Sequence, residues 1–328
     1  MKNKNIFITG GAGYIGSHVC KKLSNNGFNI YCLDNLSRGN KWAVKWGELL
    51  IGDLLDINYL ENSLKKINPI SIIHLAAFAD IGESNLKPFS YYENNIKTTI
   101  NLIKAVKKYN LNNIIFSSSC STFGNISSSN ISENRIMNPL SPYAFSKMVC
   151  ENIIKSAQQE NNIEYVILRY FNAAGADLNN EIGESNENHK RIIPQIIKSV
   201  INNKTLQIYG NDYKTHDGTC IRDFVHVIDL IDAHFKSYKK LLNDGGYHEY
   251  NLGNQSGFSV LEVIRETELL LNKEVKYKLG ERREGDPEYL IADSAKAINE
   301  LKWDTKMSDL KTIIMSAWKW HNYLLEIK

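Results

Sequence analysis

The chain has 328 residues, 43% of them hydrophobic, and a formal net charge of +3 from 39 Lys and Arg against 36 Asp and Glu. That is enough to bury a large core and more than most single domains need, while so small a charge excess, scattered among Asn and Ile, argues against nucleic acid as the main partner and for a small ligand. The apolar run Ile6-Phe7-Ile8 near the N-terminus is too short for a signal-peptide core and no run approaches the roughly 18 apolar residues of a membrane span, so a cytoplasmic protein without a membrane partner is expected; Cys20, Cys32, Cys120, Cys150 and Cys220 lie far apart with no C-x-x-C, so no disulfide framework and no metal site is expected either.

In chain order, a short β-branched run at residues 6–9 enters Gly10-Gly11-Ala12-Gly13-Tyr14-Ile15-Gly16, and an amphipathic segment follows at 14–24. A G-x-x-G-x-x-G turn between strand and helix lets backbone approach a pyrophosphate, whose charge the helix N-terminus favours. Gly10, Gly13, Tyr14, Ile15 and Gly16 are therefore candidate cofactor residues. The next strand, 30–33, ends on Asp34, the acidic position that accepts the adenosine ribose hydroxyls, with Asn35 beside it. A carboxylate there favours NAD over NADP, although Arg38 keeps NADP open.

Gly52-Asp53-Leu54 follows another apolar run and suits the adenine edge, with Asp53 and Leu54 as contacts. After a helix at 57–66, the strand at 71–75 ends in Leu75-Ala76-Ala77-Phe78, small residues that let backbone pack on a cofactor where open α/β sheets bind ligands. A helix at 91–109, a strand at 113–118, a helix at 141–159 and a strand at 165–169 complete a β-α-β alternation. The fold class expected is α/β, a Rossmann-type doubly wound parallel sheet with a smaller, discontinuous α/β substrate lobe. Residues 1–172 form the NAD-binding domain, with a strand and helix at 224–243 returning to it. Residues 173–328 are mainly the substrate lobe, with 173–223 loop-rich and 245–293 irregular.

Tyr143 and Lys147 lie at i and i+4 on the helix that begins near Pro142, so they share one face. A phenol of pKa ~10 is a poor base at neutral pH unless a cation favours its phenolate. Lys147 is placed to supply that cation, and Ser117-Ser118-Ser119 upstream supplies a hydroxyl to orient the pair.

With the glycine turn, Ser119, Tyr143 and Lys147 in this order and spacing, the chain resembles the extended short-chain dehydrogenase/reductase family, and within it the UDP-glucose 4-epimerases. The resemblance runs through Gly82-Glu83-Ser84, Tyr91-Tyr92-Glu93-Asn94-Asn95, Phe116 to Ser119, Ser141-Pro142-Tyr143, Leu168-Arg169-Tyr170-Phe171-Asn172, Tyr209-Gly210-Asn211-Asp212-Tyr213, Asp217-Gly218-Thr219, Arg222 to Val227 and Arg282-Arg283-Glu284-Gly285-Asp286. It implies an NAD-dependent interconversion of UDP-galactose and UDP-glucose through a transient 4-keto sugar. Tyr143 would be the base, Lys147 would hold the nicotinamide ribose and favour the phenolate, and Ser119 would hydrogen-bond the sugar 4-hydroxyl. Asn94, Ser117, Tyr170 and Phe171 would line the cofactor, with Phe171 and Asn172 bordering nicotinamide and sugar. Tyr209 would pack on uracil, while Arg222, Arg283 and Asp286 would hold diphosphate and ribose. Pairing of the 91–109 and 143–159 helices across a homodimer is implied as well.

Some positions depart from the family's pattern: Ala79 replaces a lysine, Phe123 a tyrosine and Arg191 an asparagine. Leu290 occupies the position that sets tolerance for N-acetylated sugars and is intermediate in size, which leaves UDP-N-acetylglucosamine and UDP-N-acetylgalactosamine open as substrates. Arg191 makes a uronate sugar conceivable. A 4,6-dehydratase would need an acid and base where Cys120 and Ser121 stand. The remaining alternative is a non-catalytic NAD-binding regulator on the same fold, which would tolerate loss of the tyrosine or lysine retained here.

Overall fold

The structure, a computed structural model, describes residues 3–125, 130–185, 191–283 and 286–326. Its strands are β1 (Asn5–Thr9), β2 (Asn29–Asp34), β3 (Glu48–Ile51), β4 (Ser71–His74), β5 (Asn113–Ser119), β6 (Glu164–Tyr170), β7 (Asn172–Ala174), β8 (Leu206–Tyr209), β9 (Ile221–His226), β10 (Tyr247–Leu252), β11 (Gly257–Ser259), β12 (Tyr277–Gly280) and β13 (Tyr289–Leu290). Seven of them form one sheet in the order β10-β6-β5-β4-β1-β2-β3. β1 runs parallel to both β2 and β4, as do β2 to β3 and β4 to β5. Strands buried on both faces read as continuous apolar runs, which is why Ile6-Phe7-Ile8 and Ile72-Ile73 were recognisable. The strand order reverses between β1 and β4, the switch point beyond whose carboxyl ends a doubly wound sheet takes its ligand.

The chain divides into two compact units. The first comprises Met1–Thr122, Pro139–Arg169 and Ile231–Tyr250, and the second Phe123–Asn138, Tyr170–Leu230 and Asn251–Lys328. In the first, Phe7, Leu33, Ile72, Ile114 and Phe116 of the sheet pack against Leu60 and Leu64 of the helix Ile57–Ile67, Leu102 and Val106 of Thr98–Lys108, and Ile154 of Pro142–Asn161. In the second, β9 pairs with β11, β13 and β7, and β8 pairs with β12. Its core joins Ile193, Ile196 and Ile197 of the helix Ile192–Asn202 to Val263 and Ile264 of Val260–Leu271 and to Ile313 and Ile314 of Leu310–Glu326.

Three expectations are corrected. The strand expected near residue 224 is β9, and it joins the sheet of the second unit; the strand that returns to the large sheet is β10. All six β9 residues are buried. Residues 173–223, expected to be loop-rich, hold β7, β8, part of β9 and the helix Ile192–Asn202; its Pro194 reads as a breaker but falls in the first turn, where proline is tolerated. Residues 91–109 are not one α-helix. The α-helical turn Pro88–Tyr91 is followed by a π-helical turn, Tyr92–Lys97, and then by the helix Thr98–Lys108. Thr99 Oγ1 donates to the Asn95 carbonyl at 2.8 Å, and Thr98 Oγ1 bonds the Asn94 and Asn95 carbonyls, so hydroxyls compete for the ladder where it widens.

Within the second unit, the Asp223 carboxylate accepts from the backbone N–H groups of Asn254 at 2.6 Å, Gln255 at 3.0 Å and Ala292 at 3.0 Å. It thereby clips the turn after β10, and the segment that follows Leu290, onto β9. Burial pushes this carboxyl up to about 7 against the pull of those three donors. Replacing Asp223 with Ala should leave the three N–H groups without their acceptor and lower the unfolding free energy by about 3 kcal/mol, read from the urea midpoint at unchanged m-value.

Candidate active site

The glycines of the first turn answer to different demands. Gly10 has φ +73°, and a Cβ on it would lie 2.6 Å from the Ala76 nitrogen; a Cβ on Gly16 would lie 2.1 Å from the Gly10 carbonyl oxygen. Both are required by the protein's own backbone. Gly13 is not. Its φ is −80°, open to any residue, and the nearest atom a Cβ would meet is the Gly10 oxygen at 3.3 Å. It caps the helix Tyr14–Asn25, whose N-terminus has no side-chain cap and no acidic residue in its first turn. A bare backbone at the positive end of a helix dipole fits a pyrophosphate, and close approach of such a group accounts for glycine at 13.

Asp34, at the end of β2, accepts from Ala12 N at 3.0 Å and Leu36 N at 2.8 Å. Burial raises its carboxyl and the two N–H donors oppose that rise. Asn35 Nδ2 donates to Asp53 Oδ2 at 2.9 Å, and Leu55 N to Asp53 Oδ1 at 2.8 Å, so the loops after β2 and β3 are tied at the expected ribose and adenine side. Leu54 is buried behind them and its carbonyl accepts from Asn101 Nδ2 at 2.9 Å. Arg38, the residue that left NADP open, donates to Glu83 at 2.5 Å and lies 4.6 Å over the Phe78 ring. That hydrogen bond holds the Glu83 carboxyl below its ordinary value. An arginine so engaged is a poor receptor for a 2′-phosphate, and the Asp34 carboxylate would repel one.

Beyond β1 and β4, Leu75 N and Ala76 N donate to the Thr9 carbonyl at 3.1 Å and the Thr9 hydroxyl at 3.3 Å, with Ala77 next in the chain. His74 is buried between the hydroxyls of Thr9, 2.7 Å from Nδ1, and Thr99, 3.1 Å from Nε2; burial lowers its pKa to about 3, so it is a neutral spacer.

The helix Pro142–Asn161 begins where Ser141 Oγ accepts from Ala144 N at 3.2 Å, with Pro142 in the first turn. This start places Tyr143 in the first turn, 9% exposed and edge-on to Tyr91. One turn on, Lys147 is 3% exposed, and its Nζ donates to the Ser117 carbonyl at 2.7 Å and lies 4.8 Å from the centre of the Phe116 ring. Desolvation draws its pKa down to about 8. On the same strand, Ser119 Oγ stands 2.9 Å from Ser121 Oγ and accepts from Ser121 N at 3.2 Å. Ser117 and Ser119 project to one face of β5 by the two-residue period.

Asn94, expected at the cofactor, sits in the π-helical turn and donates to Asn95 Oδ1 at 2.9 Å. The residue that sequence reasoning missed is Asn95. Its amide accepts from Phe78 N at 2.8 Å, donates to Phe78 O at 3.1 Å, and donates to Ser146 Oγ at 2.9 Å, joining the segment after β4 to the helix of Tyr143 and Lys147. The Asn94-Asn95 pair just before Thr98-Thr99 was the available signal, since such residues seldom occupy a helix interior together.

Within the second unit, the Arg283 guanidinium stacks 3.8 Å over the Tyr209 ring. Arg222 donates to Asp286 at 2.5 Å and to the Ile221 carbonyl at 2.9 Å, and Leu290 is its partner in the parallel β9–β13 register. Glu284 and Gly285 lie outside the described residues. Asn172 Nδ2 donates to the Asp223 carbonyl at 3.0 Å, Phe171 N to the Leu252 carbonyl at 3.0 Å, and Tyr170 ends β6. Arg191 is ion-paired with Glu184 at 3.2 Å. The nucleotide-sugar candidates thus include two contacting pairs, Tyr209 with Arg283 and Arg222 with Asp286.

Residues 6–253 match the NAD dependent epimerase/dehydratase family. The chain belongs to that family. It is 39% identical over 323 residues to a UDP-glucose 4-epimerase of Rhizobium meliloti (strain 1021), covering 98% of each chain. The structure of UDP-glucose 4-epimerase from Brucella ovis in complex with NAD superposes with a TM-score of 0.93 at 40% identity, over 96% of this chain and 98% of that one. A UDP-glucose-4-epimerase from Stenotrophomonas maltophila, with bound NAD and formylated UDP-arabinopyranose, gives 0.95 at 30% identity, over 99% and 100%. As a member of this family the chain uses NAD, and the residues of its first unit fit that group. No helix among the described residues is long and apolar enough to cross a membrane. Because the protein's own backbone opposes a side chain far less at 13 than at 10 or 16, Gly13→Ala should lower the unfolding midpoint only slightly while weakening NAD retention at least about tenfold, measured as cofactor content after gel filtration.

Proposed function

We propose that this family member interconverts UDP-galactose and UDP-glucose at sugar carbon 4. The observation that carries the reading is the buried Lys147 ammonium held on the Ser117 carbonyl, one helical turn from Tyr143 and on the strand that bears Ser119. Gly10, Gly13, Tyr14, Ile15 and Gly16 would cradle the NAD pyrophosphate; Asp34, Asn35, Asp53 and Leu54 the adenosine; Leu75, Ala76, Ala77, Asn94, Ser117, Tyr170 and Phe171 the remainder. Bound NAD supplies a reversible hydride acceptor for carbon 4.

Tyr143, as phenolate beside the Lys147 cation, takes the proton of the sugar 4-hydroxyl, and Ser119 fixes that hydroxyl by a hydrogen bond. Oxidation at carbon 4 gives a keto sugar, which turns over so that reduction occurs on its other face, and Tyr143 returns the proton. The nucleotide is the handle that permits this rotation without release: Tyr209 packs on uracil, while Arg222, Arg283 and Asp286 hold diphosphate and ribose and Asn172 and Leu290 border the sugar. Planar guanidinium forks match phosphate oxygens in geometry as well as charge. Their binding energy lies far from the reacting carbon. Cys120 and Ser121 offer no carboxylate pair to expel water, which favours epimerisation over dehydration.

Assembly as a homodimer through the helices Thr98–Lys108 and Pro142–Asn161 is part of the reading. It is supported by the exposed Phe145 on the second of these, packed edge-on to Tyr92, and by Phe89, 82% exposed one turn before the π-helical segment.

Purified protein given UDP-galactose should form UDP-glucose with no added reductant, and Tyr143→Phe should reduce the rate at least about 100-fold; binding of NAD without turnover of any nucleotide sugar would favour the regulator. Turnover should decline as pH rises through about 8, where Lys147 loses its proton. Light scattering at micromolar concentration should give twice the chain mass.

A further inference from the structure

Four residues beyond Lys147 on the same helix stands Glu151, a carboxylate with no exposure to solvent. Its Oε1 accepts from Ser118 Oγ at 2.5 Å and from Arg169 Nε at 3.0 Å; its Oε2 accepts from Arg169 Nη2 at 2.6 Å. Arg169, on β6, is itself 1% exposed and also bonds Glu249 of β10, which pairs with Lys155 at 2.5 Å. Burying such a network has no evident stability rationale, since replacing a buried ion pair by apolar residues of like volume is often neutral or favourable. Its position suggests another reason. Ser118 lies between Ser117, whose carbonyl holds Lys147, and Ser119, the residue proposed above to bond the sugar hydroxyl.

We propose that Glu151 is a positioning residue for epimerisation, fixing the Ser117-Ser118-Ser119 segment through the Ser118 hydroxyl and providing the fixed negative charge that keeps the Lys147 ammonium in its buried site. The inference rests on the functional reading above. Around Lys147 stand the Phe116 ring and the Ser117 carbonyl on β5, His74 on β4, and Tyr143, Cys150 and Glu151 on its own helix. His74 is held neutral by burial, and burial likewise pushes the Cys150 thiol up. Cys150 and, after it, Glu151 oppose desolvation of the ammonium; with the Cys150 thiol pushed up by burial, the carboxylate of Glu151 is the standing negative charge of the two.

The test is the pH dependence of kcat in the full-length enzyme loaded with NAD. In Glu151→Gln, an amide of the same shape keeps contact with Ser118 but removes the charge. The alkaline limb should move down by about half a pH unit or more, with the KM for UDP-galactose near the wild-type value. Glu249→Gln, which leaves both Glu151 contacts in place, should keep the limb where the wild type has it. A limb that stays put in Glu151→Gln, or moves equally in Glu249→Gln, overturns the proposal. If Glu151→Gln does not fold, Glu151→Asp carries the test: it retains the charge with a shorter arm, so kcat should fall at every pH with the limb in place, and a downward shift overturns the proposal. A wild type that turns over no UDP-sugar overturns the functional reading instead, before any variant is compared.

Discussion

The hydrogen bond from Lys147 to the carbonyl of Ser117 is the constraint around which the helix of Tyr143 is arranged. Burying an ammonium is costly unless it is hydrogen-bonded, and here the Ser117 carbonyl accepts from it and the centre of the Phe116 ring lies 4.8 Å away. To reach that carbonyl the helix Pro142–Asn161 must start at a fixed point, and Ser141 and Pro142 set that start. The same start fixes Tyr143 in the first turn. Asn95 then fastens the helix to the segment after β4, through Phe78 on one side and Ser146 on the other.

Polar burial in this unit follows one pattern: side chains that resemble functional groups serve as neutral struts, and charge is confined to a few fixed places. His74 looks like a candidate acid or base, yet two threonine hydroxyls and burial hold it uncharged. Asp34 presents its carboxylate with two backbone donors already engaged, which fixes its direction towards the expected ribose hydroxyls. The energy spent on orienting these groups is spent on folding, so that little reorganisation remains when a ligand arrives.

Much of this was legible in the chain. The sheet could be read because β1, β4 and β5 are buried on both faces and spell themselves in β-branched residues, and the cofactor turn because three glycines, a strand and an acidic residue recur at set distances. Leu36 shows the limit: its φ of +58° follows from the Asp34 and Asn35 hydrogen bonds at the end of β2, and nothing in a leucine announces it. The second unit was harder because its elements are short and its decisive contacts are distant in the chain. Asp223 gathers backbone from residues 254, 255 and 292, Arg283 finds Tyr209, and β8 finds β12; no local period encodes such pairings. The helix Ile192–Asn202 lies inside the stretch 173–223 that reads as loop-rich and polar, and its apolar residues pack on helices distant in the chain.

The Arg38–Glu83 ion pair bears on how readily this scaffold could exchange one dinucleotide for the other. Neutralising Asp34 would remove a repulsion but supply no attraction, since the nearby guanidinium is already bound to a carboxylate and stacked on Phe78. Glu83 is in turn bonded by the Tyr91 hydroxyl, and Tyr91 packs against Tyr143. Freeing the arginine for a phosphate would therefore disturb the ring beside Tyr143. Cofactor preference in this chain is thus linked to Tyr143 through Arg38, Glu83 and Tyr91, and a substitution at Asp34 alone leaves Arg38 bonded to Glu83.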